Sequence, residues 1–140
     1  MPSGINNRFK ANLMNKLMDL SNGGDAIRVA LLDNVHVFDP DDNVWADVSA
    51  NEISGTGYTA NGALLANQSV TQDDANDKAV FDGDNVSWTT ATFTARFAEL
   101  YDDTLAGDDL IGSIDFGSDK SVTAGTFTIE WSTDGIVSFA

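Results

Sequence analysis

Thr92-Phe93-Thr94-Ala95-Arg96-Phe97-Ala98-Glu99-Leu100-Tyr101 is a run rich in β-branched and aromatic residues with neither Gly nor Pro inside it. Side chains alternate across a strand, so Phe93, Ala95, Phe97 and Tyr101 are expected on one face and Thr92, Thr94, Arg96 and Ala98 on the other. Phe127, Ile129 and Trp131 repeat the pattern nearer the end of the chain. Working outward, residues 44–48, 68–71, 79–81, 86–90, 110–116, 125–131 and 136–139 are further β-prone segments between Asp, Gly and Asn turns. Residues 26–32 form an apolar run of strand length, and residues 35–38 are expected to continue the sheet after a turn at Asp33-Asn34. Residues 132–135 read as a hairpin turn, since Asp134-Gly135 tolerates positive φ. Eight or so strands with no helical window among them predict a mainly β chain. The expected fold is an antiparallel β-sandwich, jelly-roll- or immunoglobulin-like, and a partly closed barrel fits the same strand count.

The beginning of the chain is different. Phe9, Leu13, Leu17 and Leu20 recur at helical spacing with Met14 and Met18 beside them, and Asn22-Gly23-Gly24 is a stop signal. One short N-terminal α-helix is therefore predicted, giving a single domain over residues 1–140. Residues 1–24 are the helix and its cap, and residues 25–140 are the β-sandwich body. The apolar stripe is expected to pack on the sheet, and Phe9, Leu13, Met14, Leu17 and Met18 are also the candidate partner-contact residues, methionine being suited to adaptable contacts.

Composition narrows the function. The 140 residues include no Cys and one His, with a formal net charge of −15. Residues 1–28 carry four basic and two acidic side chains, and the remainder carries three basic and twenty acidic ones. An acidic body repels phosphate backbones, so nucleic acid is not an expected partner. The first ten residues contain no apolar run, so neither a signal peptide nor a membrane partner is expected.

Few motifs carry chemistry, and no cofactor or metal is expected. His36 is the only imidazole base, no nucleophile-elbow motif accompanies it, and an outward or hydrogen-bonded role is expected for it. Asp39, Asp41 and Asn43 copy the first ligand positions of a calcium loop, but Val44 stands where Gly is needed and Ala50 where Glu is needed. The acidic turns read as turn chemistry instead. Glu52-Ile53-Ser54-Gly55-Thr56-Gly57-Tyr58 lacks a following helix that would hold an anion, and is expected to bend Tyr58 onto the sheet. Trp45, Trp88, Trp131, Tyr58 and Tyr101 are candidates for a sugar-binding platform, although Trp88 and Trp131 alternate with apolar neighbours and are expected in the core.

In order and texture the chain resembles small virion structural proteins of tailed bacteriophages. The resemblance rests on the leader helix, Ile27-Arg28-Val29-Ala30-Leu31-Leu32, residues 52–58, Ala79-Val80-Phe81-Asp82 leading to Val86-Ser87-Trp88-Thr89, and residues 91–101. It continues through Leu110-Ile111-Gly112, Ile114-Asp115-Phe116-Gly117 and Thr123-Ala124-Gly125-Thr126-Phe127-Thr128-Ile129. It implies a non-enzymatic capsid decoration, or cement, protein on the exterior of the virion, bound to the major capsid protein and self-associating, for instance as a trimer. A tail, neck or fibre component is the alternative, and a carbohydrate-binding module is a third reading.

Overall fold

The computed structural model describes residues 3–140; Met1 and Pro2, at the head of the predicted leader, lie outside the described residues. In chain order the elements are β1 (Gly4–Ile5), α1 (Asn7–Met14), β2 (Ile27–Leu32), α2 (Trp45–Val48) running into a 3-10 turn (Ser49–Asn51), and β3 (Ala63–Leu64). Then follow β4 (Ser69–Asp73), β5 (Lys78–Asp82), β6 (Val86–Asp102), β7 (Asp109–Ile129) and β8 (Val137–Phe139). They form two antiparallel sheets in a sandwich-like, mainly β fold, one ordered β1-β7-β6-β2-β3 and the other β4-β5-β8.

The long β6–β7 hairpin is the backbone of the molecule. Residues 86–90 and 92–101, expected as two strands, are one strand interrupted at Thr90, whose φ of 51° accompanies a register shift between Trp88 and Ala91. Residues 110–116 and 125–131 likewise fuse into β7. Phe97 pairs with Asp115 and Ala95 with Lys120, so three extra residues loop out of β7. Arg96 clamps this bulge through two hydrogen bonds to the Asp115 carboxylate, 2.6 and 3.2 Å. The guanidinium, helped by the Gly117 N–H, holds Asp115 below the usual carboxylate range.

The bulge overturns the predicted facing of β6. Ala91, Phe93 and Ala95 share a core with Ala98 and Leu100, whereas Phe97 and Tyr101 join the opposite cluster with Ala30, Leu32, Trp45, Val48 and Leu110. The register slips between Ala95 and Phe97, and a slip of one residue moves every later side chain to the other face.

Covering that second face is α2, which replaces the strand expected at residues 44–48. Asp47 accepts hydrogen bonds from the Asn43 and Val44 N–H groups (2.9 and 3.0 Å), satisfying donors where the helix begins. Trp45 and Val48, three apart, are both buried, and Trp45 stacks on Tyr101 with ring centroids 4.8 Å apart. Residues 35–38 form no strand. His36 inserts into the body while Val35 and Val37 face solvent.

The leader helix ends before its expected stop at Asn22-Gly23-Gly24. Lys16 takes a left-handed conformation (φ 57°), its N–H bonds the Leu13 carbonyl and the Leu17 N–H bonds the Asn12 carbonyl. This is a Schellman closure with Lys at the position where Gly is usual. Inside the described leader, Phe9 is fully buried, and Asn12 donates to Asp109 at 2.7 Å in a buried contact that ties α1 to β7.

Candidate docking groove

A groove of about 380 Å³ runs between α1 and the small sheet, its walls including Leu13 from the leader, Val70 of β4, Phe81 of β5, and Val137 and Phe139 of β8. Phe9 stacks against Phe139 at 6.1 Å and forms the groove's floor. Of the five candidate contact residues, Phe9, Leu13 and Met18 line this groove. Phe9 (0% exposed) and Met18 (7%) are packed into the core, which corrects their assignment as partner contacts: they join the leader to the body and have no surface left to offer. Leu13 is half-buried, and Met14 (87% exposed) and Leu17 (56%) protrude. Leu17 leaves the predicted stripe because the chain reverses at Lys16. Val70 and Phe139, both exposed, add two apolar side chains that the sequence does not single out, since alternation shows which residues share a face but not which face is left uncovered.

A second groove, about 600 Å³, opens between the arms of β7 and the segment leading to β8, with Ile114, Phe116, Phe127, Trp131 and Ile136 along it. Phe116 and Phe127 lie on one strand, yet their rings are 6.1 Å apart, because the bulge and bends fold that strand back toward itself.

The other aromatic candidates divide. Trp45 and Tyr101 stack in one cluster, while Tyr58, Trp88, Phe93 and Phe127 contact one another in the other. Trp45, Trp88 and Tyr101 are buried, so the five rings form no shared platform for a sugar. The bend at Gly57 (φ 79°) does carry Tyr58 onto the sheet: its hydroxyl accepts from the Leu31 N–H at 3.0 Å and donates to Glu52 at 2.8 Å. Burial raises its pKa.

The acidic turns divide: Asp73 accepts from the nearby Asn76 N–H, whereas Asp84, Asp103 and Asp109 accept from the side chains of Asn67, Arg28 and Asn12. Asp39 accepts from the Asp41 N–H at 2.9 Å, and Asn6 donates to the Asp39 and Asp42 carbonyls at 3.1 Å, so the calcium-like stretch is held as a turn around Asn6. Among the described residues no group of three or more His, Asp or Glu side chains converges as a metal site.

Two buried acid clusters are invisible in the sequence. In the first, His36 Nε2 lies 3.2 Å from the Ser113 hydroxyl and 3.8 Å from Glu99 Oε2, and all three residues are buried. One nitrogen, Nε2, faces both partners. In the second, Asp102 accepts from the Thr104 and Leu105 N–H groups (2.9 and 3.3 Å), its other oxygen meets no donor among the described residues, and the Asp25 carboxyl stands beside it. Burial and this contact push Asp102 up to about 7.

Between the ordinary 3.8 and about 7, folded Asp102 keeps a proton that the unfolded chain releases, so this group lowers stability as pH rises through that window. Asp102→Asn is expected to flatten that fall, most visibly at pH 8, in urea unfolding curves recorded from pH 4 to pH 8.

No protein-family description, curated protein or solved structure matches this chain.

Proposed function

We propose that this chain is a structural protein of a tailed-bacteriophage virion, specifically a decoration protein seated on the outside of the head. In this reading it binds the major capsid protein and further copies of itself, as a trimer, and braces neighbouring capsomers. The observation that carries the reading is a set of exposed apolar side chains, Met14 and Leu17 in the leader and Val70 and Phe139 on the groove wall, on a body whose net charge is −15. Burying a Met or Leu side chain contributes ~1.5–3 kcal/mol, part of which association costs offset. Contacts of that size are modest singly and become substantial when repeated over a shell. The acidic surface disfavours a seat against packaged DNA and so supports the exterior. The strongly paired β6–β7 hairpin, held at its bulge by Arg96 and Asp115, supplies the stiffness that bracing requires.

The test is reconstitution. Purified protein added to shells that lack it is expected to bind in hundreds of copies and to restore resistance to heat and osmotic shock. Failure to bind overturns the proposal, and a stoichiometry of a dozen or fewer per particle moves the protein to the tail or neck.

A further inference from the structure

Residues 34–38 cross the face of the large sheet between two fixed points. At one end the Asp33 N–H bonds the Asn51 carbonyl at 2.9 Å, and at the other Asn6 holds the Asp39 and Asp42 carbonyls. Between them the segment has no strand partner among the described residues. Its ties to the body are side chains: Asn34 to Asp119 at 2.9 Å, Phe38 against Gly4, and His36 in the cluster with Glu99 and Ser113. The His36 ring also meets the Phe97 ring edge-on at 4.9 Å. Val35 and Val37 point outward on either side, so His36 is the central plug of the segment.

The cluster is balanced for one titratable proton. Among the described residues Glu99 Oε2 is buried and meets no donor, and the Ser113 hydroxyl stands beside its carboxyl. Shared between His36 and Glu99, one proton leaves no net charge in the site, as two neutral groups or as an ion pair. A second proton leaves an imidazolium beside a neutral carboxyl, and loss of the first leaves a lone carboxylate. Either is an uncompensated charge in a low-dielectric environment. The surrounding charges do not repair this. On β6, Arg96 lies 5.8 Å from the centre of the Phe97 ring but is engaged by Asp115 of β7. From the segment's own side, Asp33 acts on His36 and Asp42 on Glu99, and burial remains the largest influence on both, lowering His36 and raising Glu99.

We propose that residues 34–38 form a strap latched by His36 over Glu99 and Ser113, which releases on acidification when the cluster must take a second proton. The released histidine titrates ordinarily, so it gains the proton that the latched form refuses. With Glu99 keeping its proton in both the open and the latched form, the ratio of open to latched strap then rises roughly twenty-five-fold between pH 7 and pH 5, taking an ordinary pKa of about 6.5 for the free imidazole. Opening uncovers Phe97 and frees Val35 and Val37, altering the surface next to the β1–β7 edge without unfolding the sheets.

The chain has one His, so a nuclear magnetic resonance titration reads the latch directly. The expected result is a His36 midpoint below about 6.5, with the His36 and Phe97 rings separating as the proton is taken up while Trp45 stays stacked on Tyr101. His36→Gln is expected to make the Val35 and Val37 signals insensitive to pH between 7 and 5. Glu99→Gln is expected to keep the acid release and abolish any release at alkaline pH, which provides a second test if the first variant folds poorly. An ordinary midpoint with the two rings still together, the same Val35 and Val37 shifts in His36→Gln, or simultaneous separation of both ring pairs would each overturn the proposal.

Discussion

Phe9→Ala is expected to remove ~3–5 kcal/mol of stability, seen as a lowered urea midpoint with an unchanged slope. The ring is wholly buried, stacks on Phe139, and packs with Met18 and Leu20 of the leader and with residues of β2, β6 and β7. Truncation leaves a cavity beneath α1 that sheet residues on a fixed ladder cannot collapse to fill. Met14→Ser, one helical turn and a residue further on, is expected to change stability by no more than ~0.5 kcal/mol, because the side chain is in solvent. In the proposed function the two substitutions part company: Met14→Ser, alone or with Leu17→Ser, weakens binding to undecorated shells while the protein stays folded. Unimpaired binding by the double variant would move the contact away from the leader.

Trp45→Ala is expected to cost a similar ~3–5 kcal/mol. Trp45 stacks on Tyr101 at a 14° interplanar angle and donates its indole N–H to Asn61 at 3.2 Å, while Tyr101 donates to the Asn61 carbonyl at 2.7 Å. Losing the indole removes the cover of the second core and one anchor of the loop that leads into β3. Trp45→Phe keeps an aromatic ring and gives up the hydrogen bond, so a loss nearer ~1 kcal/mol is expected. A carbohydrate platform makes the opposite forecast, with glycan binding lost and the fold intact. Urea unfolding and a glycan array on the same variants separate the two.

Much of the fold was legible because its signals are local. The apolar run at residues 26–32 became β2, the alternation around Phe93 became the centre of β6, and Asp134-Gly135 closed the last turn with Gly135 at φ 84°. Tyr58 reached the sheet through the Gly57 bend. What failed locally failed for identifiable reasons. Residues 44–48 look β-prone, yet Asp47 capping and burial of Trp45 against Tyr101, 56 positions away, favour a helical turn. The leader's apolar stripe extended past the true helix end, because a lysine can take a left-handed turn when the closing hydrogen bonds hold it there. The candidate contact set was therefore mixed: Phe9 and Met18 bear on folding, Met14 and Leu17 on the surface, and Val70 and Phe139 entered only when β4 and β8 were brought beside α1.

From its residues alone, this chain was committed to an antiparallel β body, a short apolar leader and a strongly acidic surface, since propensity, alternation, turn chemistry and charge act over a few neighbours. Tertiary structure decided which face each side chain serves, through the β7 bulge opposite Arg96. It also brought His36 to Glu99 and Ser113, the latter 77 residues away, in one buried site. Those outcomes depend on long-range register, and a shift of one residue would reverse the side chains without changing the local pattern.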